Sequence, residues 1–207
     1  MADDVDEYGL AIWGAPERNK EPILNELLRV LPSQGGLFLE VSSATGQHAE
    51  HFARGLPHFS VQTSDYDPEH LKGLQARQNA CGLENFLPPL HLDVLEASWP
   101  VASAAVIFSA NMLHIAPIEA VKGLFSGAGN VLSAGGLLIT YGPYQVGGMH
   151  TSPSNERFDA SLRERNPSWG IRDLDMLRQT AALFDLQARE PVQMPANNFL
   201  VVWDKVR

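Results

Sequence analysis

Apolar residues along the first third of the chain change their spacing several times. In "PILNELLRVL" they fall at Ile23, Leu24, Leu27, Leu28 and Leu31, the three-and-four spacing of one helix face. Pro22, just ahead of them, suits a first helical turn, where its missing N–H costs nothing. "LFLEV" then packs apolar residues almost without a gap, as a short strand buried on both faces does. "HAEHFARGL" returns to helical spacing, with Gly55 near its end. "FSVQTSD" reads as a second strand. "DPEHLKGLQARQNACG" is a helix with three boundary signals: Asp67 as N-cap, Pro68 in the first turn and Gly82 past the last residue. "LPPLHLDV" and "AAVIFSAN" read as two further strands. "PIEAVKGLFSGAGNVL" spaces Ile118, Val121, Leu124, Phe125 and Ala128 as a helix, and "GGLLITYG" reads as a fifth strand.

Strands alternating with helices argue for an α/β protein, a mostly parallel sheet covered by helices on both faces. The end of the chain departs from that rhythm. "DLDMLRQTAALF" is helical with Asp173 as N-cap, and "DLQAREPV" and "NNFLVVWDKV" lie close enough to form an antiparallel hairpin. Between them and the fifth strand runs a segment rich in Gly, Pro, Ser, Asn and aromatic residues. It is expected to hold little regular structure, and a segment of that length is commonly functional. The organisation expected is a flexible tail over residues 1–14 and one domain over 15–207, with 143–172 as an insertion covering a pocket.

Composition narrows the classes. A chain of 207 residues suits one core of good size, and 44% hydrophobic with 19% charged residues is ordinary for a soluble globular protein. A net charge of −9 disfavours a nonspecific grip on nucleic acid or anionic membrane. The single cysteine, Cys81, excludes an intrachain disulfide and a cysteine zinc site. The acidic start "MADDVDEYGL" is no signal peptide, and no window approaches the length of a membrane span. The expectation is a soluble, cytoplasmic protein.

Candidate chemistry collects where the strands end, as ligands do in open α/β sheets. The turn after the first strand runs Glu40-Val41-Ser42-Ser43-Ala44-Thr45-Gly46, with one glycine where a dinucleotide loop has two or three. The side chains of Ser42 and Ala44 disfavour close approach of a pyrophosphate, which argues against an NAD-linked dehydrogenase. No Walker sequence or nucleophile elbow occurs. A ligand that meets the loop through an amino-acid moiety fits better, and S-adenosylmethionine is one. Asp65, 25 residues after Glu40, stands where a ribose-binding acid is expected. Tyr66 beside it could pack on adenine, and Asp93, with Val94 next to it, could accept from the adenine amino group. Asn111, followed by Met112, could reach the methionine end. Each alone is as easily a strand-end polar residue; together they form a set.

The stretches "APERNKEPIL", "LEVSSATGQHAEHFA", "NMLHIAP", "YGPY", "TSPSNERFDASLRERNPSWGIRD" and "MPANN" carry a resemblance. Over about residues 15–205 the chain resembles a small family of class I S-adenosylmethionine-dependent methyltransferase-like proteins that includes methyltransferase-like protein 26. The resemblance implies a Rossmann-like fold, a seven-stranded sheet whose last hairpin supplies the antiparallel strand. It supplies no acceptor. The family loop is expected to read A-S-G-T-G, whereas Ser43-Ala44-Thr45-Gly46 stands here. Ala44 is therefore the feature that would support the alternative, a non-catalytic binding or scaffold protein that keeps the fold.

Methyl transfer from a sulfonium needs geometry first, and a base only for a poor nucleophile such as a hydroxyl. His114 is the best-placed base, with Tyr144 as its companion and Tyr141 lining the acceptor side. Capping of a turn and packing around Pro143 are the plain alternatives. Asn155, Trp169 and Arg172 in the insertion are candidates for the acceptor, Arg172 as an anion clamp and Trp169 as a wall. Arg18 and Asn19 before the first helix and Asn197 before the last strand could close over it. No metal is expected: His48 and His51 share a helix face but lack a third ligand. "NMLH" is not the pattern of amino-directed nucleic-acid methyltransferases, so the expected substrate is a small molecule.

Overall fold

The structure, a computed structural model, describes residues 5–206. Residues 1–4 of the expected tail, and Arg207, lie outside the described residues. The chain forms two compact units, one running to Asp93 and taking in Ala104–Phe108, the other made of Val94–Ser103 and everything from Ser109 on.

The first unit holds α1 (Gly14–Val30), β1 (Gly36–Val41), α2 (Gln47–Gly55), β2 (Phe59–Asp65), α3 (Pro68–Cys81), β3 (Phe86–His91) and, as far as Phe108, β4 (Ala104–Ala110). Its pairing is parallel throughout: β1 with β2 and β4, and β2 with β3. The α/β alternation is thus the observed one. Pro88 and Pro89 are tolerated because β3 lies at the sheet edge. The core is aromatic: Phe38, Phe52, Phe59 and Phe108 are almost wholly buried, with Phe52 edge-on to Phe108 at 5.2 Å between ring centres.

One boundary is corrected. Pro22 lies inside α1, which begins at Gly14. The apolar spacing misses the first two turns because their buried residue is polar, Asn19. Ahead of α1, the Asp6 carboxylate accepts from the amides of Tyr8 and Leu10 and pairs with Arg77 at 2.7 Å, and Val5 bridges Ala11.

The second unit holds α4 (Ile118–Val131), β5 (Leu132–Gly142), β6 (Tyr144–Val146), β7 (Met149–His150), α5 (Pro153–Arg165), β8 (Arg172–Asp173), α6 (Leu174–Ala182), β9 (Leu186–Ala188), β10 (Val192–Met194) and β11 (Asn198–Lys205). β11 runs antiparallel to β5, with Val202 opposite Ile139. Where one hairpin arm was expected, two short strands, β9 and β10, both pair with β11. Residues 143–172 are also more regular than expected. β7, β6 and β8 form a small sheet, and α5 starts from Ser152, whose hydroxyl accepts from the Asn155 amide. The inward residues of α5 are Asn155, Asp159 and Leu162, so its buried stripe is mostly polar and no hydrophobic period announces it.

Candidate functional site

After β1 the backbone turns left-handed at every second residue: Ser42 at φ 60°, Ala44 at φ 49° and Gly46 at φ 73°. Only glycine takes this conformation freely; other L-residues give up roughly 1–2 kcal/mol there. Hydrogen bonds hold it. Ser43 N donates to Ser64 O at 2.9 Å, Ala44 N to Asp65 Oδ2 at 2.9 Å, and Gly46 N to Ser43 O at 2.8 Å. The hydroxyls of Ser43 and Ser64 both donate to the Glu40 carbonyl. Gly46 could be nothing else, because a Cβ there would lie 2.7 Å from Leu74 Cδ2 and 3.1 Å from Arg77 Cδ. The loop therefore adopts at 42, 44 and 46 the winding that a three-glycine turn would take, with a glycine only at its last position.

Asp65 is buried at the end of β2 and ties this loop down: Oδ2 accepts from Ala44 N, Oδ1 accepts from Asp67 N at 3.0 Å, and His70 Nδ1 stands 3.2 Å from Oδ1. Tyr66 beside it is exposed, its ring open to a planar partner. Asp93 is half-buried after β3.

Behind the loop lies Glu40, the first residue of the turn expected to meet the cofactor, with His48 beside it and Asn19 beyond. Glu40 is buried, and among the described residues its Oε2 has no hydrogen-bond partner. Burial pushes its pKa up to about 8, with Asp65 adding to the rise and Ser43 opposing it. His48 Nδ1 is 3.7 Å from Glu40 Oε1, and His48 Nε2 donates to Asn19 Oδ1 at 2.6 Å. The ring is stacked on Phe52, and burial holds its pKa down at about 4. Glu40 is thus protonated and His48 neutral near pH 7. Asn19 is corrected from an acceptor contact to the residue that orients His48. His51 turns away to Glu21, 3.0 Å from its Oε2. Arg18 is exposed on α1.

In the second unit, Asn111 is left-handed at φ 61°, and its amide donates to Tyr141 O at 2.8 Å. Met112–His114 form one 3-10 turn, all three buried. The His114 ring meets Phe158 edge-on at 5.4 Å. Burial, aided by the nearby Arg172 guanidinium, lowers its pKa to about 4, so the imidazole is neutral near pH 7. Gly142 ends β5 beneath this turn. A Cβ there would sit 3.5 Å from His114 Nδ1 and 3.7 Å from Asn111 Oδ1. Its absence leaves a carboxamide oxygen and a neutral imidazole nitrogen bordering one small space. The glycine in "TYGPY" at a strand end was the available signal.

Other candidates sit differently. Tyr144 is corrected: its hydroxyl lies in the core and donates to Thr140 Oγ1 at 2.9 Å, which also accepts from Trp203 Nε1. Burial drives its pKa well above the usual phenol value, so it is a packing tie rather than a base. Arg172 is corrected as an anion clamp, since its guanidinium donates to the carbonyls of Leu113, Ala116 and Ser168. Asn155 is buried and donates to Thr151 Oγ1 and to the Asn197 carbonyl, joining α5 to the turn before β11, while the Asn197 side chain donates to Ser154. Trp169 is half-buried with the Arg165 guanidinium 5.0 Å above its ring. Tyr141 is buried in β5, and Val94 is buried against α4 at Gly123.

Solved structures share the fold. An O-methyltransferase family protein from Burkholderia thailandensis superposes with a TM-score of 0.77 at 12% identity, over 93% of this chain and 58% of its own. Human N-acetylserotonin methyltransferase, solved in complex with SAM, gives 0.73 at 15% identity, over 91% of this chain and 52% of its own. YcgJ from Bacillus subtilis gives 0.69 at 14% identity, over 92% of this chain and 99% of its own. The chain spans little more than half the length of the first two. At these identities the likeness establishes the Rossmann-like methyltransferase fold. The profile of a family described as a protein of unknown function, DUF938, matches residues 11–205. The chain is a member of the DUF938 family.

Proposed function

We propose that this protein is an S-adenosylmethionine-dependent methyltransferase for a small-molecule acceptor. The observation that carries the reading is the loop of residues 42–46, wound as a glycine-rich turn and tied through Ala44 N to the buried acid Asp65. The residues present fit the cofactor. Among the described residues Glu40 offers a buried carboxyl oxygen without a partner behind the loop, and a cationic amino-acid moiety placed beside it would favour its ionised form. Among the described residues Asp65 Oδ2 accepts one hydrogen bond, from Ala44 N, and has capacity for a ribose hydroxyl. The exposed Tyr66 ring offers a face to adenine, with Asp93 as the following strand's contribution.

When bound, the cofactor supplies an electrophilic methyl on a sulfonium. The chain's task is then to hold the acceptor and take its proton. His114 is the candidate base, since its imidazole is neutral near pH 7 and its Nδ1 borders the space over Gly142. Asn111 Oδ1, across the space over Gly142, can accept from a second N–H or O–H of the acceptor and so orient it. Phe158 screens the imidazole from water. In this reading the protein acts in the cytoplasm, does not act on nucleic acid, and stands beside methyltransferase-like protein 26. The net charge of −9 supports the second point. No helix of the described residues is long and apolar enough to cross a membrane.

The non-catalytic alternative rests on Ser42 and Ala44, non-glycine residues in left-handed positions. The two separate in one assay: release of S-adenosylhomocysteine from S-adenosylmethionine across a panel of small hydroxylated and amine acceptors. The methyltransferase reading expects release that depends on the acceptor and is lost in His114→Gln while cofactor binding stays. Binding with no release from any acceptor would favour the alternative.

A further inference from the structure

The turn that carries His114 is gripped from one side by residues 170–172. Gly170 N donates to the His114 carbonyl at 2.9 Å. Arg172 Nε donates to the Leu113 carbonyl at 2.9 Å, and its Nη2 donates to the carbonyls of Ala116 and Ser168. The carbonyls of Leu113, His114 and Ala116 are therefore all held by one short segment. A planar guanidinium with donors in a fixed fork can do this, whereas an ammonium cannot reproduce the geometry.

The gripping segment is itself anchored. Arg172 begins β8, in parallel register with Tyr144 of β6, whose hydroxyl is tied into the core. Ile171 N donates to Asp159 Oδ1 at 2.6 Å, and Arg163 Nε donates to Asp159 Oδ2 at 2.9 Å, so α5 braces the same segment. The charged group acting on His114 is Arg172; beyond it stand Arg163, Asp159 and Glu119. Phe158 faces the ring from α5, and Gly142 lies below it.

We infer that Arg172 is the positioning residue of His114: with the Gly170 amide it ties down the carbonyls of the turn, fixes the imidazole beside Asn111 and Gly142, and holds a cation next to the ring. The importance of this grip for turnover rests on His114 being the base; the grip itself is measurable without any acceptor. The insertion thus acts on chemistry through the backbone of residues 113–116, without touching substrate at Arg172.

The test is an NMR titration of histidine Cε1–H resonances in the full chain, with His114 assigned by loss of its signal in His114→Gln. Amide exchange at Gly170 is followed alongside. In the unaltered protein the His114 midpoint lies at about 4. Arg172→Met is expected to move it upward toward the ordinary value of about 6.5 and to speed Gly170 exchange by about tenfold. Arg172→Lys keeps the cation and loses the fork, so the midpoint stays low while Gly170 exchange still accelerates. A folded Arg172→Met with midpoint and exchange both unchanged overturns the inference. If Arg172→Met does not fold, Arg172→Lys decides: unchanged Gly170 exchange overturns it. Survival of methyl transfer in His114→Gln would instead sink the assignment of the base and leave this grip standing.

Discussion

Ala44 holds φ 49° on the strength of its amide bond to Asp65, against the steric preference of its own Cβ. Ala44→Gly is therefore expected to raise the free energy of unfolding by about 1 kcal/mol, the relief of a left-handed L-residue less the entropy of glycine. Urea denaturation checks it; a loss of stability would mean the methyl makes contacts worth more than its strain. Tyr144→Phe should lower stability by about 1 kcal/mol, for the bond to Thr140, and leave acceptor turnover unchanged. The buried titratable residues set a pH profile. His48 and His114 stay neutral in the folded protein down to about pH 4, while the unfolded chain protonates them near 6.5. The unfolded chain then binds more protons in that window, and stability falls as pH drops through it. Glu40 acts in the opposite sense: folded, it keeps its proton to about pH 8, whereas unfolded it loses it near 4.5. Its burial therefore erodes stability as pH rises from 4.5 to 8, and Glu40→Gln should gain on the parent protein across that range in urea midpoints taken at several pH values.

Among the elements, those with an apolar period were legible and those with polar buried faces were not. α3 is bounded as its cap, proline and glycine foretell, and β11 pairs with β5 as the hairpin reading requires. The first turns of α1 and all of α5 escaped because Asn19, Asn155 and Asp159 face inward, and a polar residue is buried only when a distant partner satisfies it. Those partners, His48 for Asn19 and Ile171 N for Asp159, are separated from them in sequence and leave no local mark. The same reason divides the candidate site. Asp65 and the 42–46 loop were readable from spacing, while the real attachments of Arg172 and Tyr144 were not. α3 also carries a buried ionic junction, Arg77 with Asp6 and Glu50 at 2.7 Å each, its Nε on the Thr45 carbonyl. Arg77→Met leaves Asp6 without its cation and Glu50 with Arg54 alone, and should cost about 3–5 kcal/mol, read by thermal or urea unfolding. Since Thr45 belongs to the loop proposed to hold the cofactor, that proposal expects cofactor affinity to fall with it.

For the molecule as a whole, membership of DUF938 and the methyltransferase fold fix the class of architecture, and the central claim is that the loop of residues 42–46 with Asp65 holds S-adenosylmethionine. Asp65→Ala should weaken that binding by about 1–3 kcal/mol through loss of the hydrogen bonds to the ribose. The most direct measurement is calorimetric titration of the protein, freed of carried-over ligand, with S-adenosylmethionine and S-adenosylhomocysteine, and with NAD as a contrast. The account predicts micromolar binding of the first two and none of NAD. Binding of NAD, or heat from neither of the methionine-derived ligands, would contradict it.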